Sequence, residues 1–266
     1  MTLPQIMGIV NATPDSFSDG GMHRTAQGAV EHGLRLLDEG ADIIDVGGES
    51  TRPGADPVPV DEELRRVLPV VEGLLVARPD TTVSIDTRRA QVAAAALRAG
   101  ASMVNDVSAG GDEQMAPTVA AHPGVRWVLM HMRGEPATMQ HDTGYDDLVG
   151  EVETFLEQRV AAAEAAGIAR HRLIVDPGLG FGKSMHDNPV LVRNTSRLTA
   201  SLGLPVLVGA SRKRFIGELT GQAQAARRVF GSVGVAIAAA MHGAAVLRVH
   251  DVAATREALL AFEACR

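Results

Sequence analysis

The residues of this chain that could do chemistry fall in short polar runs, each directly after an aliphatic stretch. Asn11 closes the first stretch and leads into a loop holding Phe17, Ser18 and Asp19. The second is followed by Gly47-Gly48-Glu49-Ser50-Thr51-Arg52-Pro53-Gly54, and later ones end at Asp86, Asn105-Asp106 and His131. Asp176 opens the run Pro177-Gly178-Leu179-Gly180-Phe181-Gly182-Lys183, and the last two stretches lead to Ser211-Arg212-Lys213 and Arg248-Val249-His250-Asp251. An ionised carboxylate only accepts hydrogen bonds, whereas an amide both donates and accepts. Asp86, Asn105 and Asp176 together therefore suit a planar heterocycle whose edge carries several N–H donors. Asn11, Arg248 and His250 read as an anion and metal pocket, since the arginine fork matches phosphate oxygens. Ser211 to Lys213 precedes a helix whose free N–H groups favour an anion. No nucleophile–base triad is visible, and no His, Asp and Glu cluster suggests an all-protein metal cage. The expected metal is Mg2+ held partly by substrate phosphates. His131 reads either as a general base or as a structural histidine.

Lys183 and Lys213 are the two lysines among 25 basic residues; the rest are arginine. Where lysine persists in so arginine-rich a chain, a compact ammonium is expected to matter more than charge alone. The prediction is that Lys213→Arg loses most activity. Lys183 is read as shaping the loop after Asp176, with Lys183→Arg the milder change.

Such residues act together only if the elements carrying them converge. Strand patterns cover residues 5–10, 42–46, 82–85, 103–105, 126–130, 172–175, 205–208 and 245–249. Helical patterns alternate with them, including 27–39, 61–76, 90–99, 146–166 and 227–241. Gly40, Gly100, Gly167 and Gly203 stand where helices should stop before the next strand. Regular alternation with short connections means a parallel sheet. Eight units without a linker predict a closed (β/α)8 TIM barrel in a single domain, residues 1–266, with all the polar runs at one mouth. An open doubly wound sheet is the competing architecture, but the first loop lacks the G-x-G-x-x-G signature of dinucleotide binding.

The bulk properties agree. The 266-residue chain is 45% hydrophobic and 21% charged, enough for a large core. A formal net charge of −7 argues against nucleic acid or an anionic membrane as partner and leaves room for a local basic pocket. One cysteine, Cys265, allows neither an intramolecular disulfide nor a cysteine metal cluster. The apolar segment 233–249 is interrupted by Gly234, His242, Gly243 and Arg248, and it falls short of the roughly 18 residues of a membrane span. Residues 1–10 carry no signal-peptide pattern, so a cytoplasmic location is expected.

In order, Met7-Gly8-Ile9-Val10-Asn11, Asn105-Asp106, the Asp176 to Lys183 run, Ser211-Arg212-Lys213 and Arg248-Val249-His250-Asp251-Val252 resemble the dihydropteroate synthase family over nearly the whole chain. The resemblance implies Mg2+-dependent, SN1-like condensation of 6-hydroxymethyl-7,8-dihydropterin diphosphate with p-aminobenzoate in folate biosynthesis. It also implies a homodimer and a target for sulfonamides. By the same resemblance Asp86, Asn105, Asp176 and Lys213 would hold the pterin. Thr51, Arg52, Arg248 and His250 would hold the diphosphate, with Asn11 at the metal. Phe17, Pro53, Phe181 and Lys213 would form the p-aminobenzoate slot, and Asp19, Arg52 and Lys213 would act in catalysis. The two loops carrying Asp19 and Arg52 are expected to close over the site. Ala12 and Arg214 depart from the family pattern; with Arg214 in place, a serine contact to the p-aminobenzoate carboxylate is not assumed. Two other readings of the pterin barrel are a methyltransferase-like enzyme and a non-catalytic synthase paralogue. The first would not need the Arg248-Val249-His250 grip on diphosphate.

Overall fold

The computed structural model of the chain describes residues 3–12, 26–50, 57–135, 138–139 and 141–265. Its strands are β1 (Gln5–Asn11), β2 (Ile43–Gly47), β3 (Thr82–Asp86), β4 (Met103–Asp106), β5 (Arg126–Met130), β6 (Leu173–Asp176), β7 (Leu207–Val208) and β8 (Val246–Val249). The helices are α1 (Ala26–Asp38), α2 (Val60–Ala77), α3 (Ala90–Arg98), α4 (Met115–Ala120), α5 (Leu148–Ala165), α6 (Asp187–Arg193), α7 (Thr195–Leu202), α8 (Arg214–Thr220), α9 (Val229–Met241) and α10 (Val252–Cys265). The strands form one eight-stranded sheet in the order β6-β5-β4-β3-β2-β1-β8-β7. A parallel bridge, Val175↔Val206, joins its two ends and completes the barrel expected from the alternation.

Local sequence explains the elements. The first turn of α2 holds Asp61, Glu62 and Glu63, where negative charge complements the helix dipole. Asp147 caps α5 by accepting the Gly150 N–H at 3.1 Å. Gly203 ends α7 in the left-handed conformation, and Gly40, Gly100 and Gly167 share its positive φ.

Five strands run one residue further than the hydrophobic pattern implies, to Asn11, Gly47, Asp86, Asp106 and Asp176. The ladder is made by backbone groups and does not stop at a polar side chain. The residue read as following the strand is therefore its last member. β7 is shorter than expected because Pro205 lacks an N–H and Val206 makes only a bridge.

Side chains alternate across the sheet. Ile44, Val46, Val83, Ile85, Val104, Trp127 and Val175 face the helices in the outer core. Met7, Ile43, Met103, Val128, Ile174, Leu207 and Val246 pack together inside the barrel. Each fully buried aliphatic side chain contributes roughly 1.5–3 kcal/mol. Among the described residues no helix is long and apolar enough to cross a membrane.

Candidate active site

Two residues above the apolar inner layer, the same inward face becomes polar. The backbone register aligns Asn11 with Gly47, Gly47 with Asp86, and Asp86 with Asn105 in one row. Met130 aligns with Asp176, and Arg248 with Met7. Paired residues share a face, so Asn11, Asp86, Asn105, Asp176 and Arg248 all point into the barrel at the C-terminal end of its strands.

Arg248 links the polar layer. Its Nε donates to Asp45 Oδ2 at 2.6 Å and an outer nitrogen donates to Asp86 Oδ2 at 2.6 Å. Asn105 Nδ2 donates to the same Asp45 oxygen at 3.0 Å. Burial works against the charge on Arg248, but Asp45 and Asp86 outweigh it and hold its pKa above the ordinary arginine value. Burial pushes the Asp86 carboxyl up to about 7, with Arg248 opposing and Asp45 adding to the rise. Asp45 was not singled out by the sequence reading. Its signal was an acid in the middle of the apolar run Ile43-Ile44-Asp45-Val46.

On the opposite side Asp176 Oδ1 accepts the Gly178 N–H at 2.7 Å. Burial raises the pKa of Asp176, and Lys213 counters it. The Lys213 ammonium donates to Leu179 O at 2.5 Å and sits 4.6 Å from the Phe181 ring centroid. Burial lowers its pKa to about 8, with Asp176 opposing. Lys213 and Phe181, predicted to share a slot, are thus together.

The corner that delivers Lys213 is strained. Arg212 has a φ of 59°, unusual for a residue with a side chain. Two bonds to Asp251, at 3.1 and 2.6 Å, and its own N–H on Ser232 Oγ hold it there. Ser211 Oγ accepts the His250 N–H and lies 3.1 Å from His250 Nδ1. His250 therefore stands beside the Ser211–Lys213 turn, next to the strand carrying Arg248.

The loop after β6 is fastened from below. Lys183 Nζ lies 2.6 Å from His131 Nδ1 and 3.2 Å from His131 O. Both residues are buried, at 3% and 5% exposure. Burial drives the Lys183 pKa well below its ordinary value. Burial and the nearby Lys183 bring His131 down to about 3. The contact with a buried lysine gives His131 a place in holding the two loops together. A Cβ at Gly178, where φ is 69°, would fall 1.8 Å from His131 O, so only glycine lets the loops lie this close. Lys183 thus ties the loop after β6 to His131, and an arginine in its place would need more room than the ammonium occupies.

Phe17, Asp19, Thr51, Arg52 and Pro53 lie outside the described residues. Glu49 accepts the Val58 N–H at 2.8 Å and pairs with Arg88 at 3.2 Å and Arg89 at 2.7 Å. Sequence reasoning missed the pairing of this carboxylate with Arg88 and Arg89, because those partners lie on another strand's loop.

Residues 7–250 match the pterin binding enzyme family. Dihydropteroate synthase of Neisseria meningitidis serogroup B is 51% identical over 98% of this chain and 92% of its own length. The solved structure of Xanthomonas albilineans dihydropteroate synthase with 4-aminobenzoic acid is 54% identical, with a TM-score of 0.92 over 99% of this chain and 93% of that one. The same enzyme in complex with 7,8-dihydropteroate superposes with a TM-score of 0.88 at 51% identity, covering 100% and 95% of the two chains. An inward polar layer suited to a heterocycle, a family match across the barrel and identities of this size over full length agree: the chain belongs to the pterin binding enzymes and, among them, to the dihydropteroate synthases.

Proposed function

We propose that the chain joins 6-hydroxymethyl-7,8-dihydropterin diphosphate to p-aminobenzoate through the residues of this one polar layer. The observation that carries the reading is the convergence of Asp86, Asn105, Asp176 and Arg248 on the inward face at a single barrel mouth, with the Lys213 ammonium, from the turn after β7, close enough to act on Asp176. Asp86, Asn105 and Asp176 hold the pterin edge, with the Lys213 ammonium as a further donor. Arg248 and His250, with Thr51 and Arg52 from the second loop, hold the diphosphate. Phe181 and the stem of Lys213 line the p-aminobenzoate slot with Phe17 and Pro53.

In the reaction the bond between the pterin methylene carbon and the diphosphate oxygen breaks first. The electron pair leaves with diphosphate, and Arg248 stabilises the charge it gains. The resulting cation is conjugated with the pterin, and the carboxylates of Asp86 and Asp176 favour positive charge there. The amine nitrogen of p-aminobenzoate then bonds to the methylene carbon with its lone pair, and the resulting ammonium gives its proton to water, leaving 7,8-dihydropteroate. That step needs alignment more than a strong base, in keeping with a neutral, bonded His131. Asp19 and Arg52 are the further residues assigned to catalysis.

Asn11 fits a Mg2+ site because its amide oxygen is a hard ligand at the end of β1, in the same row as Asp86. No group of three His, Cys, Asp or Glu gathers among the described residues, so such an ion would take most of its oxygens from diphosphate and water. When bound, Mg2+ neutralises charge on the leaving group.

The homodimer is supported by α9. Phe230 is 90% exposed and Met241 57%, and Val233, Gly234 and Ile237 lie between them on the same face. A helix this apolar needs a cover on both sides.

The test is a coupled assay. Purified protein with Mg2+ should release diphosphate and form dihydropteroate only when p-aminobenzoate is present. Absence of p-aminobenzoate-dependent release across a range of Mg2+ concentrations would sink the reading.

A further inference from the structure

We propose that Asp45 is a positioning residue of this site, its carboxylate holding Arg248 and Asn105 in the orientations in which they meet the pterin diphosphate. The inference rests on the roles given above to those two residues.

Asp45 is fully buried at the centre of β2, between Ile9 of β1 and Ser84 of β3. A carboxylate there is costly unless it is paired and hydrogen-bonded, and a leucine would pack without that cost. Its bonds reach strands two places away in either direction, Arg248 of β8 and Asn105 of β4. Both go to Oδ2. Oδ1 is buried and has no partner among the described residues. A group kept for packing alone would not leave an acceptor unpaired in the core. What the arrangement does supply is orientation.

Arg248 is gripped at Nε, the root of its guanidinium, so the plane of the fork is set from below. Its outer nitrogens are what an anion would meet, and one of them now rests on Asp86. When Asp86 turns to N–H donors of a pterin, that nitrogen is released toward phosphate, while the Nε bond keeps the plane. For Asn105, donating its amide N–H to Asp45 leaves the amide oxygen turned toward the site. Asp45 thereby selects which way round the amide is presented.

The experiment is steady-state kinetics of Asp45→Asn, a near-isosteric change, with both substrates and a melting curve. The expected result is a rise in KM for the pterin diphosphate and a fall in kcat/KM of about ten- to a hundredfold, with KM for p-aminobenzoate held within about twofold. Combined with Arg248→Gln, the losses should be less than additive. A fall in kcat alone with both KM values intact, or full additivity, overturns the proposal. If Asp45→Asn does not fold, wild type supplies the answer. The Arg248 Nε–H resonance, assigned by its loss in Arg248→Gln, should stay protected from exchange with and without inorganic diphosphate. Its loss on adding diphosphate means that Arg248 leaves Asp45, and the proposal fails. An unchanged KM for pterin diphosphate in Arg248→Gln would instead remove the role given to Arg248, and this inference with it.

Discussion

Ile174 and Asp176 stand two residues apart on β6, on the same inward face, in successive layers of the barrel. Ile174 belongs to the apolar plug with Met7, Ile43, Met103, Val128, Leu207 and Val246. Asp176 belongs to the layer of Asp45, Asp86, Asn105 and Arg248. The lower layer gains stability from burial. The upper layer buries charge and is held by bonds that only partly offset the cost: Asp86 and Asp176 both have raised pKa values because burial outweighs their cationic neighbours. One strand thus changes from supporting the fold to working against it within a single step of the pleat. The rigid layer beneath keeps the strained one in place.

Substituting both members of the pair should give the largest effects. Ile174→Ala should lower stability by about 2–5 kcal/mol through the cavity it leaves, while folded molecules keep normal KM values. Asp176→Ala should weaken pterin binding by about 1.5–3 kcal/mol and change stability by no more than about 1 kcal/mol. Denaturant melts and calorimetry on both variants decide the matter. A large stability loss at Asp176 with unchanged pterin affinity would erase the distinction between layers.

A second contrast lies between the two lysines. Lys213→Arg keeps the charge but puts a larger planar group against Phe181 and Leu179 O. It should lose tenfold or more in turnover, roughly 1.4 kcal/mol, with little change in melting temperature. Lys183→Arg should overfill the space beside His131 and cost about 1–3 kcal/mol of stability. Rates and melting temperatures measured side by side would show the two effects separated, and identical profiles would contradict them.

The smallest expected effect is in pH. Asp86 must be ionised to accept pterin N–H groups, so kcat/KM should rise through about 7. Lys213 must be protonated to donate, so kcat/KM should fall above about 8. Stability has the other sign for Asp86: with its folded pKa above the unfolded value of 3.8, its contribution is best at low pH and is lost as pH rises toward about 7. Lys213→Arg should move only the alkaline limb, to higher pH. A flat profile from roughly pH 6 to 9 would mean that neither group titrates in the free enzyme.

Much of this was legible in one dimension. The eight strand patterns, the glycine stops and the polar runs are local signals, and local chemistry determines them: aliphatic stretches pair into ladders and glycine takes the left-handed turn. The fold class and the placement of Asp86, Asn105, Asp176, Arg248 and Lys213 at one mouth followed from that alternation, since a closed parallel barrel brings every strand's C-terminal end to the same rim. Asp45 was passed over because an acid inside an apolar run carries no mark of its partners, which lie 60 and 203 positions away. The tie between Lys183 and His131 spans 52 positions and was equally silent. Periodicity along a strand reports which face a residue takes. Which charges meet across the barrel, which carboxyls burial raises and which lysine is sealed in depend on closure of the sheet, and only the assembled barrel decided them.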